Sequence, residues 1–167
     1  MKKLMLAASA CALMAGAASA EDVKIGILIG FTGPIESLTG HMANAAEAAM
    51  AEVNASGKAK NNYISVRGDD TCTDAAAATA ATERAVTAEG VKGIIGGDCS
   101  GVTRAMLTNV AMPNGIVMVS PSATSPALTA DPDNGLFFRT APSDAREGEV
   151  MADILMEKGV KSIALTY

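Results

Sequence analysis

Val91-Lys92-Gly93-Ile94-Ile95-Gly96-Gly97-Asp98-Cys99-Ser100-Gly101-Val102 is the stretch that decides the fold. Val91 to Ile95 has the length and the branched apolar side chains of a buried strand, Gly96 to Gly101 is a small-residue loop, and Val102 to Val110 takes up helical spacing. Strand, tight loop and helix in that order make half of a β-α-β unit, whose strands run parallel. The loop offers bare N–H groups and the Ser100 hydroxyl at the positive end of a helix dipole, which suits an anion. Cys99 leaves two readings open. It is a nucleophile on a turn, or half of a disulfide that pins the loop.

The same rhythm extends outward. Upstream, Val23 to Ile29 reads as a buried strand and Tyr63 to Arg67 as a second one. Between them His41 to Ala55 reads as a helix, with Met42, Ala45, Ala46, Ala49, Met50 and Val53 on one stripe and Gly57 as its C-cap. Thr73 or Asp74 caps an alanine-rich helix that runs to about Glu89 and stops at Gly90. Downstream, Ile116 to Val119 is a fourth strand, and Ser120 to Gly135 is a long ordered loop rich in Ser, Thr, Pro, Asp and Asn. Leu136 to Thr140 is a short extended segment, and Ser143 or Asp144 caps a helix to about Lys158. Lys161 to Tyr167 is expected to begin another strand. The fold class is therefore α/β, a parallel sheet with right-handed crossovers and helices on both faces. A strand begun at the last residues looks like the opening of a second, similar lobe, so the sequence is expected to be truncated there.

The first twenty residues carry their own pattern. Lys2 and Lys3 precede the apolar stretch Leu4 to Ala18, and Ala18-Ser19-Ala20 gives an A-x-A exit before Glu21. The stretch is shorter than the ~18 residues of a membrane span, so it reads as a secretory signal peptide, residues 1–20, cleaved after Ala20. Two lysines leave with it: 13 basic residues become 11 against 18 acidic ones, and the net charge of -5 becomes -7. An acidic exported chain is a poor partner for nucleic acid or anionic membranes. Of three cysteines, Cys72 and Cys99 remain, and an even count in an oxidising compartment favours a disulfide. Trp is absent and aromatics are 3% of the chain, so the core must rest on Ile, Val, Leu, Met and Ala.

Ligands of open α/β sheets bind outside the carboxyl ends of the strands. Three loops fall there: Gly30-Phe31-Thr32-Gly33-Pro34, Asp98-Cys99-Ser100-Gly101, and Ser120-Pro121-Ser122-Ala123-Thr124-Ser125-Pro126. None carries Lys or Arg, which suits a small zwitterion better than a polyphosphate. Gly97-x-Cys99-x-Gly101 also has the form of a nucleophile elbow with cysteine for serine, and His41 is the one histidine available as its base. That would make a cysteine hydrolase. Against it, Cys72 follows the second strand at the same sheet edge, where a disulfide would consume the thiol. The G-x-G-x-x-G and P-loop patterns are absent, and Asp69, Asp70 and Asp74 do not follow EF-hand spacing. No cofactor or metal is expected, and Asp74 reads as a helix cap.

Taken together, the signal peptide, Val23-Lys24-Ile25-Gly26-Ile27, Thr32-Gly33-Pro34, Asp69-Asp70-x-Cys72, Gly97-x-Cys99-Ser100 and Ser120-Pro121-x-Ala123-Thr124 resemble the branched-chain amino-acid-binding proteins. These are periplasmic type I solute-binding proteins that serve ABC importers, and the resemblance covers residues 21–167. It implies a first ligand-binding lobe over 21–140, incomplete, and the start of a second lobe over 141–167. Asn134 to Thr140 resembles the first crossing between lobes. The resemblance further implies a disulfide between Cys72 and Cys99 and no enzymatic step. Ser100 would bind the ligand carboxylate, the Ser122 carbonyl the α-ammonium, and Thr124 both ends of the zwitterion, with Ala123 between them. Leu38 stands where a branched-chain binder often has a tyrosine beside the side-chain pocket. Partners implied are an amino acid and the membrane permease subunits of an importer, and the protein is expected to be a periplasmic monomer. Use of the same fold for sensing would look identical in these residues. In the family the chain returns later to complete the first lobe, so part of a sheet edge and a helix face are expected to be exposed here.

Overall fold

β1 (Asp22–Ile29) carries apolar side chains on both of its faces, the composition of a strand covered on two sides. In the computed structural model, which describes residues 21–165, β1 pairs in parallel with β2 (Asn62–Asp69) on one edge and β3 (Gly93–Gly96) on the other. β4 (Val117–Ser120) and β5 (Phe137–Arg139) continue the sheet, again in parallel. The strand order is β2-β1-β3-β4-β5. The expected α/β class with a parallel sheet is what forms.

Helices cover both faces. α1 (Glu36–Ala55) lays Ala43, Met42, Ala46 and Met50 against Ile27 and Ile29 of β1. On the opposite face lie α2 (Ala75–Arg84), extended by a π-helical turn over Ala85–Glu89, and α3 (Ser100–Met106). α3 continues through a π turn at Leu107–Ala111 into a last turn at Met112–Asn114. These helices bring Ala78, Ala85, Val102, Met106 and Leu107 onto Leu28, Ile94, Met118 and Phe137, the larger core. α4 (Ala127–Ala130) and α5 (Asp144–Glu157) complete the chain's helices among the described residues. None of them is long and apolar enough to cross a membrane.

Caps fall where side-chain chemistry announces them. The Asp74 carboxylate accepts from the N–H groups of Ala76 and Ala77 at 2.8 and 3.0 Å, and Gly90 stops the helix in the left-handed region at φ 74°. Ser143 caps α5 by accepting from Ala145 N–H. α1, by contrast, starts at Glu36 rather than His41, because Ile35 at its cap makes no side-chain bond that a sequence could advertise. A tertiary contact fixes the early start: buried Thr39 donates through Oγ1 to the Gly30 carbonyl at 2.8 Å. His41 therefore lies within the helix rather than at its start, and is exposed.

Three further expectations are corrected. α3 opens at Ser100, not Val102, so Ser100 belongs to the helix's first turn. The loop from Ser120 to Gly135 contains α4. The strand expected from Lys161 does not form: residues 161–165 make no strand pairing, and 166–167 lie outside the described residues. An extended run becomes a strand only where a neighbour takes up its N–H and C=O groups, and none of the five strands does so here. The signal peptide over 1–20 also lies outside the described residues.

Candidate ligand-binding crevice

β1 passes the chain to α1 on one face, whereas β3 passes it to α3 on the other, so the two loops diverge between adjacent strands. That divergence is the topological switch point, where a crevice opens at the carboxyl ends. Gly96 is the residue the crossing demands: at φ 149°, a Cβ there would collide with the Leu28 carbonyl oxygen. The chain can turn off β3 beside β1 only without a side chain at that point.

Beneath the crevice the loops are tied to two aspartates. Gly30 N–H, after β1, donates to Asp98 Oδ2 at 2.7 Å, and Cys99 N–H donates to Asp98 Oδ1 at 2.8 Å. Cys72 N–H, after β2, donates to Asp70 Oδ1 at 2.9 Å, and Asp98 N–H to Asp70 Oδ2 at 3.3 Å. Burial, reinforced by the neighbouring Asp98 charge, pushes the Asp70 carboxyl up to about 7. Asp69, one residue earlier, goes the other way. Burial opposes it, yet bonds from the Thr32 hydroxyl at 2.6 Å and the Thr71 N–H at 2.8 Å hold its carboxyl below the usual range.

Cys72 and Cys99 are joined by a disulfide across this edge. The bond consumes the thiol that a nucleophile elbow would need, so Cys99 is a clamp and the hydrolase reading loses its nucleophile. It also disposes of a metal there. Cys72, Cys99 and Asp98 converge within 4.8 Å, but two bonded sulfurs offer no thiolate.

The loop after β4 folds onto the same end. Ser120 donates to the Gly97 carbonyl at 2.6 Å while its oxygen accepts from Ala123 N–H at 2.9 Å. Ser122 Oγ donates to the Asp98 carbonyl at 2.9 Å, which turns that hydroxyl inward. Ser100 Oγ accepts from Ser125 N–H at 3.1 Å, and a hydroxyl used as acceptor keeps its own O–H to donate. Arg139 braces the loop from below through the carbonyls of Ala123 and Ser125, at 3.3 and 2.9 Å. Thr124 gives its carbonyl to Asp144 N–H at 3.0 Å.

The structure thus brings Ser100, Ser122 and Ala123 into one network of hydrogen bonds at the crevice, with Thr124 next in the chain and bonded instead to Asp144; Ala123 is buried and the other three half-buried. Leu38 stands apart on the first turns of α1, 59% exposed. Sequence reasoning missed the roles of Asp70, Asp98 and Arg139. A signal existed for the aspartates: each lies within two residues of the end of a strand that carries apolar side chains inward, a position that is hard to keep solvated. Two open hollows of about 340 and 310 Å³ lie instead along α1 beside Tyr63. They mark where α1 leaves the sheet incompletely covered, away from the crevice chemistry.

Residues 22–167 match the family described as periplasmic binding protein. The chain belongs to that family. Among curated members it is 33% identical over 157 residues to the Leu/Ile/Val-binding protein of Escherichia coli (strain K12), covering 93% of this chain and 42% of that protein. Among solved structures, it superposes on the branched-chain amino acid transporter substrate-binding protein LivJ from Streptococcus pneumoniae, in complex with isoleucine. The TM-score is 0.73 at 27% identity, over 83% of this chain and 39% of that one. A solute-binding protein of an ABC transporter from R. palustris, in complex with benzoate, gives a TM-score of 0.70 at 25% identity, over 84% and 38%. This chain spans less than half the length of these family members.

Proposed function

We propose that this chain is the ligand-capturing first lobe of a periplasmic solute-binding protein that delivers an aliphatic amino acid to an ABC importer. The observation that carries the reading is the Ser100 hydroxyl at the opening of α3. It accepts from Ser125 N–H, and among the described residues no acceptor takes its O–H, which is left to donate to an anion that enters the crevice. An amino-acid carboxylate fits that donor, and likeness to the Leu/Ile/Val-binding protein of E. coli supports the choice.

The roles follow from position. Ser100 takes the carboxylate, the Ser122 carbonyl takes the α-ammonium because its hydroxyl is already spent on Asp98, and Thr124 spans both ends. Ala123 packs the turn that sets them, and Leu38 lines the side-chain end of the pocket. Residues 21–140 make the first lobe, and 141–167 begin a second that closes over the ligand about the crossing near Arg139. The permease then reads the closed form of a monomer exported by cleavage after Ala20. No bond is made or broken.

Calorimetry on the full-length gene product tests this. L-leucine should bind, and Thr124→Ala should lose most of the affinity, roughly tenfold or more for a hydroxyl bonded to a charged group. An unchanged affinity removes Thr124 from the site, and no binding of any aliphatic amino acid removes the function.

A further inference from the structure

Asp70 and Asp98 lie at the root of the crevice, 0% and 3% exposed; Asp98 N–H donates to Asp70 Oδ2, and carboxyl oxygens of both would lie 3.2–3.3 Å from a Cβ at Gly30. Four backbone N–H groups from the loops after β1, β2 and β3 end on these two carboxyls. The elements packed around them bring no counter-charge. α3 contributes Thr103 and Met106, which approach Gly97 beside Asp70, and the β4 loop contributes Ser120 and Ser122. The disulfide closes the third side. Of the other ionisable groups in these loops, Asp69 is engaged by Thr32 and Thr71, and Asp74 caps α2. Among the described residues no Lys, Arg or His bonds to the pair.

Two buried carboxylates lining the same small space, without a cation, repel strongly if both are ionised. One proton between them converts the repulsion into an acid–carboxylate hydrogen bond. We infer that Asp70 and Asp98 are positioning residues of the crevice, a proton carried by Asp70 and shared in a hydrogen bond with the Asp98 carboxylate holding the three loops in the arrangement that presents Ser100 and Ser122. The inference rests on the binding function proposed above for its consequence, though not for its geometry. Ser100 directly follows Cys99, whose N–H is held by Asp98, and Ser122 Oγ is held by the Asp98 carbonyl. Loss of the proton places a second charge under both ligand contacts, and the loops yield.

The sign is set by the direction of the shift. Asp70 is raised from its ordinary value of 3.8 to about 7, so the folded protein holds a proton that the unfolded chain releases. The stabilisation is complete below 3.8 and is lost as pH rises through about 7. Loop order and ligand affinity follow it near neutrality.

The test has two arms on the full-length gene product, each at pH about 5.5 and about 8.5, to either side of the shared proton's loss. Amide hydrogen exchange, corrected for its intrinsic pH dependence, reads the loops without ligand. Protection over 30–34, 70–73 and 97–101 should fall roughly tenfold at the higher pH. Calorimetry with L-leucine should show a comparable loss of affinity. Asp70→Asn removes the titrating carboxyl and Asp98→Asn the charge beside it; each should flatten both profiles, even though losing one acceptor for a backbone N–H lowers protection at every pH. Loop protection equal at both pH values overturns the inference, as does leucine affinity that ignores pH. If leucine does not bind at either pH while the loops still respond, the transport reading falls and the shared proton stands.

Discussion

Phe137 and Phe138 are neighbours on β5, identical in chemistry and opposite in fate: the first is 7% exposed, the second 55%. Strand alternation sends them to different faces of the sheet. Phe137 continues a row with Ile94 and Met118 that α2 and α3 bury. Phe138 continues the row of Ile27, Ile95 and Val119, which α1 covers well only over β1. Burial along that second row falls steadily, from buried at Ile27 through half-buried at Ile95 and Val119 to exposed at Phe138. Residue type says nothing about which face carries the stability; the placement of helices does. The sharpest way to break this account is Phe137→Ala. Removing a buried ring leaves a cavity against Met118 and Leu128, and urea denaturation should show a loss of about 3–5 kcal/mol. A loss below about 1 kcal/mol would mean the covered face is not where β5 is held.

The covered face has a second fastening. Cys72 precedes α2 and Cys99 precedes α3, so the disulfide ties together the starts of the two helices that bury Leu28 and Ile94. Closing a loop of 27 residues removes unfolded-state entropy worth roughly 3–4 kcal/mol. The Cys72→Ser/Cys99→Ser pair should lose about that much by the same assay, somewhat less than the cavity variant at its upper end. If the loss is under about 1 kcal/mol, the hydrogen bonds to Asp70 and Asp98 already restrain the reduced loops.

Much of this arrangement was legible in the sequence, for a physical reason that also marks the boundary. The strands and the helices after Asp74 and Ser143 announce themselves through local chemistry, a periodicity of apolar residues and a side chain that caps. The crevice loops did so too, because small residues mark close backbone approaches such as Gly96 against Leu28. Non-local features stayed hidden. The start of α1 depends on Thr39 meeting Gly30, and the role of Asp98 depends on Asp70, 28 positions earlier in the chain. An aspartate in a glycine-rich loop reads as solvated until the fold sets another one beside it. The strand expected at Lys161 failed by the same logic, since an apolar extended run needs a partner to become one.

The smallest effect is the most discriminating. Phe138→Ala removes the same ring as Phe137→Ala from the same strand, so intrinsic strand preference changes equally in both. The half-open side of the sheet offers Phe138 little to lose: it is 55% exposed, and Val117, two positions from its partner Val119 on the same face of β4, is 41% exposed. Denaturation should therefore register a loss below about 1 kcal/mol, most of it strand preference rather than packing. The difference between the two alanine variants then isolates burial from propensity on one strand. A Phe138→Ala loss approaching that of Phe137→Ala would show that this face is covered in solution, and that the gradient from Ile27 to Phe138 does not describe the folded protein.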